Sequence, residues 1–275
     1  MRNRNGMSDL RAMLATPFAH RGLHDEVTPE NSLASFDLAA RCGLAIELDV
    51  RLSRDGVPVV FHDADLARMC GIGGRLAETD AATLSRTSLC LSTETIPTLA
   101  AALHTIAGRT PVMVDVKAGL LPSDTRRRLL DAVAIIVRCY PGPIAVVGLD
   151  PVLLAAFADR APKVLRGQSA GIDPTYVSSR WMRAMCRPLD DLWSLRVSRA
   201  HFVSFNVQRL PSDAIARLRA RMPVVTWTVR TVAQLDIARQ YADGVIVEDA
   251  ALAAVCRDEN VQRPALSSSS GRRLA

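Results

Sequence analysis

Nine short runs, most of them rich in β-branched residues, recur along the chain, and amphipathic stretches of helical period separate most of them. This alternation is typical of repeated βα units around a parallel sheet. The runs are residues 17–20, 45–50, 57–63, 111–116, 143–149, 163–167, 202–207, 223–229 and 244–249. A closed eight-stranded barrel needs one strand fewer, so the spacing between the runs decides the architecture.

The second and third runs are too close together for a parallel crossover. Only the six residues "RLSRDG" separate them, whereas a crossover needs a dozen or more, so these two runs must form a hairpin. Asp55-Gly56 is a preferred dipeptide for a two-residue type I′ turn. That turn places Asp49 opposite His62, with Glu47 on the same face.

With the hairpin's returning strand set aside, eight βα strands remain. The sequence therefore predicts an α/β fold: a single TIM (β/α)8 barrel over residues 1–258, with a protruding β-hairpin after strand 2 and a short insertion. Helices are expected at residues 30–42, 98–108 and 124–140, the last opening at an aspartate cap. Residues 259–275 lack periodicity and are predicted to be a disordered tail.

The distribution of charge indicates which class of molecule the protein binds. The net charge of +6 comes largely from arginines scattered over helical faces, without interleaved aromatic residues. Such scatter is a weak signal for nucleic acid, and an anionic small molecule is the more natural partner.

The six cysteines form no CxxC pair, which predicts reduced, mostly buried thiols and neither a zinc site nor a disulfide framework.

No stretch of the chain approaches the roughly 20 apolar residues of a transmembrane helix. The N-terminal residues also lack the apolar segment of a signal peptide. We therefore expect a cytoplasmic protein with no transmembrane segment, while the oligomeric state does not follow from the sequence.

Charged side chains gather at the ends of the first three barrel strands, where TIM barrels carry their catalytic groups. Glu47, Asp49 and Asp115 would converge there, and three carboxylates repel one another unless a cation lies between them. Oxygen ligands suit one hard divalent cation such as Mg²⁺ or Ca²⁺. Arg21 and Lys117 could then hold the oxygens of a phosphate that also contacts the metal.

Two histidines complete the set of groups that a phosphodiester substrate requires. His20 ends the first strand, and His62 follows the hairpin. One imidazole can take a proton from the attacking oxygen, and the other can give a proton to the leaving alcohol. The residues leave open which histidine has which role.

These motifs resemble the glycerophosphodiester phosphodiesterases over residues 17 to about 252. The resemblance rests on "HRG", "PENSLASF", "IELDVRLSRDGVPVVFHD", "IPTL", "VDVK", "WTV" and "DGVIVED". It implies hydrolysis of glycerophosphodiesters such as glycerophosphocholine or glycerophosphoethanolamine to glycerol 3-phosphate and an alcohol. It also implies that His20 and His62 are the general acid and base, and that Trp227 lines the substrate pocket.

The resemblance further implies a two-step reaction, in which the glycerol hydroxyl beside the phosphate attacks first and water then opens a cyclic phosphate. Direct attack by metal-bound water uses the same residues. Pro29 in a first turn predicts a helix start with Asn31 or Thr28 as the cap, which assigns Asn31 and Ser32 to the start of the helix. Glu30 is expected to support the metal ligands without binding the metal.

Three positions depart from the usual family pattern. Asp115 stands where the family usually has glutamate, Leu149 follows Gly148 in place of Ser-Phe, and Glu248 belongs to "VED" in place of Thr-Asp. The segment of residues 64–94 is short, which predicts an open mouth. Three alternatives to the main hypothesis are open. One is a lysophospholipase-D-like enzyme of the same fold, favoured by an apolar rim, and another is a catalytically silent phosphodiester-binding barrel, favoured if Asp115 cannot reach the metal. The third, a nucleic-acid binder, would require a continuous arginine stripe that the sequence does not show.

Overall fold

The computed structural model describes residues 4–90, 92–118, 121–171 and 193–258. The predicted tail at 259–275 and Cys186 lie outside the described residues. Within the described part of the chain, no helix is both long and apolar enough to cross a membrane. The described cysteines form no disulfide, but only Cys42 and Cys256 are buried, so the prediction of mostly buried thiols was wrong.

Eight parallel strands close into the predicted TIM barrel, and all nine predicted strands form. The strands are β1 Phe18–His20, β2 Ala45–Leu52, β3 Pro58–Val60, β4 Val112–Val116, β5 Ile144–Gly148, β6 Leu165–Ala170, β7 Phe202–Asn206, β8 Val224–Val229 and β9 Gly244–Val247. Each barrel strand pairs with the next, and β1 pairs with both β2 and β9, which closes the ring. The hairpin strand β3 is antiparallel to β2 and lies outside the ring.

Helices follow most of the strands. They are α1 Arg4–Ala15, α2 Leu33–Arg41, α3 Ala67–Cys70, α4 Ala81–Leu84, α5 Leu99–Ile106, α6 Ser123–Arg138, α7 Pro151–Arg160, α8 Trp193–Ser198, α9 Asp213–Arg219, α10 Val232–Tyr241 and α11 Asp249–Asp258. The three predicted helices appear as α2, α5 and α6. The aspartate cap predicted for α6 is wrong, since Pro122 holds the N-cap position.

The hairpin loop has three residues instead of the predicted two. The Ser53 amide donates to the Val57 carbonyl at 3.0 Å, which leaves residues 54–56 as the loop. Gly56 has a φ of +88°, the left-handed conformation that ends a three-residue turn with a bulge. The Asp55 carboxylate accepts hydrogen bonds from Ser53 Oγ and the Ala81 amide, so contacts outside the dipeptide select the longer loop.

The extra loop residue shifts the hairpin register by one. Val50 pairs with Val60, and the Phe61 amide donates to the Asp49 carbonyl at 2.9 Å. The predicted pairing of Asp49 with His62 was therefore wrong. His62 nevertheless reaches the mouth of the barrel, because β3 ends at Val60 and the chain bends at His62.

Helix α1 was not predicted, because its polar residues give no clear apolar period. Its second half supplies Leu10, Met13 and Leu14 to the core inside the barrel, where they pack with Phe18 and Ile246. The helix therefore closes the end of the barrel opposite the C-terminal ends of the strands. Tertiary packing, which a local pattern does not report, stabilises this segment.

Truncating Leu14 tests this packing. Leu14 is only 1% exposed, so the Leu14→Ala variant should lose about 3 kcal/mol of unfolding free energy in urea denaturation. Val152→Ala is the matched control, because Val152 is 54% exposed and its truncation should change stability by less than about 0.5 kcal/mol. Equal stability of the two variants would show that α1 is dispensable for the fold.

The insertion after β3 has a small core of its own. Leu66, Met69, Leu76, Leu84 and Ile96 belong to a buried cluster separate from the two barrel cores. Helix α3 is therefore held in place by apolar packing beside the mouth.

Candidate active site

A cavity of about 380 Å³ opens at the C-terminal end of the barrel. Seven of the nine site residues predicted above line it: His20, Arg21, Glu47, His62, Asp115, Lys117 and Trp227. Of the other two, Asp49 is buried, with 1% exposure, and Glu30 contacts the Arg21 guanidinium. The C-terminal ends of the barrel strands thus bring most of the predicted charged groups together around this cavity.

A sharp turn after β1 explains the His-Arg-Gly triplet. Arg21 and Gly22 both have positive φ, at +57° and +83°. A Cβ on Gly22 would lie 2.4 Å from Ser35 Oγ, so only glycine fits this turn. The Arg21 amide donates to Glu47 Oε2 at 3.2 Å, which ties the turn to the second strand.

The carboxylates converge because strand alternation points them inward. Ala45 and Met113 fill the barrel interior, and period two places Glu47, Asp49 and Asp115 on the same inward face. One oxygen from each of the three lies within 4.8 Å of the others. Burial, followed by repulsion from the other two carboxylates, raises the pKa of Glu47 well above its usual range.

Two cations neutralise part of this acidic cluster. Lys117 Nζ lies 2.9 Å from Asp49 Oδ1 and 2.6 Å from Asp115 Oδ2, and Arg21 Nε lies 3.2 Å from Asp49 Oδ2. Burial alone would raise the pKa of Asp49, but Lys117 and then Arg21 outweigh it and hold that pKa far below its usual range. Asp49 is therefore ionised, while Glu47 favours its neutral form.

The donor set fits a hard divalent cation. A buried glutamate that favours protonation beside two other carboxylates is the arrangement that a cation stabilises. Asp49 Oδ1 is buried and accepts no well-aligned hydrogen bond from the described residues, although Lys117 lies near it. Glu47, Asp49 and Asp115 together offer the oxygen ligands.

Asn31 has a different role from the predicted one. Ser32 alone is the N-cap of α2, accepting from the Ser35 amide. Asn31 instead donates Nδ2 to Asp49 Oδ2 at 3.0 Å and accepts from the Asp49 amide through Oδ1 at 3.3 Å. The capping prediction for Asn31 was therefore wrong, because a buried carboxylate on a neighbouring strand takes its side chain.

Each catalytic candidate histidine has its Nδ1 bound to a carboxylate. His20 Nδ1 lies 3.0 Å from Glu248 Oε2, and its Nε2 lies 3.9 Å from Glu47 Oε2. His62 Nδ1 lies 2.7 Å from Asp63 Oδ1. These bonds fix the orientation of both rings and leave Nε2 as the nitrogen available for proton transfer. Burial lowers the pKa of both imidazoles despite the neighbouring carboxylates, which favours the neutral form.

Sequence reasoning missed the residues that support these rings. Glu248 was noted only as a departure from the family pattern, and it binds His20, Arg230 at 2.9 Å and His24 at 3.5 Å. Its position just after β9 was a usable signal, since strand ends at this face carry function. Asp63 adjoins His62 directly and could have been found as its partner.

Strands β5, β7 and β8 and the residues after them contribute uncharged side chains to the cavity. Leu149, the departure after β5, lines the cavity with Trp227, Ser204 and Gln208. The Trp227 indole Nε1 is buried and has no partner among the described residues. The location of Trp227 is thus compatible with contact to a bound molecule.

The known proteins that match this chain include several glycerophosphodiester phosphodiesterases. The model of the glycerophosphoryl diester phosphodiesterase family matches residues 20–252. The probable glycerophosphodiester phosphodiesterase 2 of Mycobacterium tuberculosis is 32% identical over 176 residues, which cover 62% of this chain and 60% of that protein. Glycerophosphodiester phosphodiesterase 1 of Bos taurus is 45% identical over 62 residues, or 22% of this chain and 18% of that protein. The matches thus span less than two thirds of these relatives.

Solved structures share the fold. A phosphodiesterase of Oleispira antarctica, solved in complex with the product sn-glycerol-3-phosphate, superposes with a TM-score of 0.74 at 22% identity, covering 90% of this chain and 98% of that chain. A putative glycerophosphoryl diester phosphodiesterase of Silicibacter pomeroyi gives a TM-score of 0.76 at 21% identity, with 94% and 98% covered.

Proposed function

The chain belongs to the glycerophosphoryl diester phosphodiesterase family, a family of phosphoric diester hydrolases, and we propose that it hydrolyses glycerophosphodiesters to glycerol 3-phosphate and an alcohol. Glycerophosphocholine and glycerophosphoethanolamine are the proposed substrates. The observation that carries the proposal is one cavity that contains a three-carboxylate cluster, two cations and two carboxylate-bound imidazoles. A phosphodiester uses all of these groups.

Glu47, Asp49 and Asp115 would hold one divalent cation, Mg²⁺ or Ca²⁺. When bound, the cation supplies positive charge that polarises the phosphate and balances the three carboxylates. Arg21 and Lys117 would bind phosphate oxygens, for which a guanidinium and an ammonium are suited. Both cations line the cavity, so each can turn toward a substrate while remaining close to Asp49.

The two imidazoles would divide the proton transfers. His20 and His62 each keep a carboxylate at Nδ1, so Nε2 of one can accept the proton of the attacking hydroxyl while Nε2 of the other protonates the leaving alcohol oxygen. With the substrate's own glycerol hydroxyl as attacking group, the first product is a cyclic phosphate. With water, glycerol 3-phosphate forms in one step.

The test is glycerol 3-phosphate release from glycerophosphocholine and glycerophosphoethanolamine, measured with a coupled dehydrogenase assay. We expect steady turnover with added Mg²⁺ or Ca²⁺. Bis(p-nitrophenyl) phosphate is the control substrate, because it is a phosphodiester without a glycerol hydroxyl. No release from either glycerophosphodiester with any divalent cation would overturn the proposal, and binding without turnover would support a silent phosphodiester-binding barrel.

Three exposed valines on the face of the barrel that carries the mouth favour lysophospholipids as a second candidate substrate class. Val27 in the loop after β1, Val152 at the start of α7 and Val232 at the start of α10 are 75%, 54% and 47% exposed. All three follow barrel strands and so belong to the face that carries the mouth. Choline release from lysophosphatidylcholine at a higher kcat/KM than from glycerophosphocholine would establish this candidate.

Lengthening the third ligand tests whether the site is built around aspartate. Asp115 pairs in register with Asp49 and already accepts from Lys117 Nζ at 2.6 Å, so the longer Asp115→Glu side chain should crowd the cluster. We expect about a tenfold loss in both metal affinity and kcat. Calorimetric titration and turnover measure the two effects, with Asp124→Glu as control because the Asp124 side chain is 88% exposed. Tighter metal binding with full turnover would show instead that aspartate is the weaker ligand here.

A further inference from the structure

Arg68, on helix α3, bridges two carboxylates that come from different parts of the mouth. Its Nε donates to Asp63 Oδ2 at 2.6 Å. Its terminal nitrogens form a fork on Glu30, with NH2 at 2.7 Å from Oε1 and NH1 at 3.1 Å from Oε2. Such a bidentate guanidinium–carboxylate pair fixes direction as well as distance.

Both carboxylates also hold a residue proposed above to act on substrate. Asp63 Oδ1 lies 2.7 Å from His62 Nδ1, and Glu30 Oε1 accepts from Arg21 NH1 at 2.8 Å. Arg68 therefore closes a continuous chain of contacts from His62 through Asp63, Arg68 and Glu30 to Arg21. Without it, nothing else in the described part of the chain joins the two carboxylates.

Ionisation of Asp63 and Glu30 maintains this series of contacts. Burial alone would raise the pKa of Asp63 and of Glu30. Hydrogen bonds from Arg68 and His62 lower the pKa of Asp63, and Arg68 and Arg21 lower that of Glu30, so both lie below their usual values. The two carboxylates are therefore ionised and acceptor-only, so Asp63 can accept from His62 Nδ1–H and Glu30 can accept from Arg21.

The position of Arg68 does not depend on its own ion pairs. Its neighbours Leu66 and Met69 are 2% and 7% exposed and anchor α3 in the core of the insertion, whereas the Arg68 side chain is 47% exposed. Partly exposed ion pairs contribute little to global stability. Loss of this side chain should therefore change the site more than the fold.

We propose that Arg68 is a positioning residue, which orients His62 through Asp63 and Arg21 through Glu30 at the same time. The inference rests on the proposed function, because it takes His62 as a proton-transfer group and Arg21 as a phosphate ligand. It assigns a role in turnover to the inserted segment, which otherwise only borders the mouth.

The test compares Arg68→Ala and Arg68→Lys in steady-state hydrolysis of glycerophosphocholine. Arg68→Ala should lower kcat/KM by about 100-fold, through both a lower kcat and a higher KM, since small misplacements of catalytic groups have effects of this size. Arg68→Lys should recover only part of the loss, because one ammonium cannot form both the fork on Glu30 and the bond to Asp63. Arg54→Ala is the matched control, since Arg54 forms a comparable pair with Asp80 away from the cavity.

Two further variants separate the arms of the bridge. Asp63→Asn should act mainly on kcat through His62, and Glu30→Gln mainly on KM through Arg21. In the double variant of Arg68→Ala with Asp63→Asn, kcat should fall little further than in Asp63→Asn alone, because both changes break one chain of contacts. Calorimetric titration with glycerol 3-phosphate gives a readout independent of turnover, and Arg68→Ala should weaken its binding about tenfold.

The outcomes distinguish the two proposals. An active wild type with unchanged kcat, KM and product affinity in Arg68→Ala would overturn the role of Arg68 alone. An inactive wild type that also fails to bind glycerol 3-phosphate would overturn the proposed function, and this inference with it. If Arg68→Ala melts well below the wild type, the kinetics of Arg68→Lys are compared with those of the wild type instead. Wild-type kcat and KM in Arg68→Lys would then overturn the positioning role.

Discussion

Replacing His20 with alanine is expected to lower kcat by about 10³-fold, which is within the range of general acid–base catalysis. His20 lines the cavity, its Nδ1 is held by Glu248 at 3.0 Å, and its Nε2 faces Glu47 at 3.9 Å. Alanine would remove the proposed proton-transfer group and leave Glu248 with Arg230 as its cationic partner. The KM should change much less than kcat, because Arg21 and Lys117, the proposed phosphate ligands, remain.

Controls make the His20→Ala result specific. His104→Ala replaces an exposed histidine on α5 and should leave kcat unchanged. His62→Ala should resemble His20→Ala, and the double variant should lose little more than either single variant, because residues that act as a unit are not additive. Circular dichroism and thermal melting check the fold. Wild-type turnover in His20→Ala would remove this histidine from the mechanism.

Removing divalent cations is expected to abolish turnover, and adding back Mg²⁺ or Ca²⁺ should restore it. Glu47 is buried beside two other carboxylates, and its pKa is raised by that burial and by their repulsion. Without a cation, Glu47 favours its protonated form, and Asp49 and Asp115 pair with Lys117. The three carboxylates then have no metal through which to bind the substrate. Dialysis against a chelator, followed by titration of each ion against turnover, measures the effect.

Stability provides a second readout of the same experiment. A cation that binds only the folded state stabilises it by mass action, by about 2.7 kcal/mol at 100 times its Kd. The melting temperature should therefore rise on adding the ion, and Asp49→Asn should lose this response. Full turnover after exhaustive chelation, with no shift in melting temperature on adding either ion, would contradict the metal-dependent mechanism.

Local sequence was sufficient for the barrel and for most of the charged centre. Strand period two and the short link between the second and third runs predicted nine strands and one hairpin, because both depend only on residues near one another. The strand-end rule then placed His20, Arg21, Glu47, Asp115 and Lys117 around one cavity. Parallel strands that close a ring must bring their C-terminal ends together, so this part of the site followed from topology.

Three of the differences from prediction share a physical cause, which is competition from groups distant in sequence. The hairpin loop gained a residue where Asp55 accepts from the Ala81 amide. Asn31 does not cap the helix, because its side chain donates to the buried Asp49 carboxylate instead. Helix α1 formed because Leu14 and its neighbours fill the open end of the barrel. In each case a partner more than a dozen residues away outweighed the local preference.

The sequence by itself determined the barrel, the identity of the acidic and basic groups and the strand ends that carry them, since these follow from periodicity and spacing. Only the tertiary structure decided that Glu248 holds His20 and that Arg68 joins Glu30 to Asp63. Glu248 reaches His20 across 228 residues, and Arg68 reaches Glu30 across 38. Side-chain contacts between separate strands and loops depend on the angles at which those elements meet, and no local pattern in the chain encodes those angles.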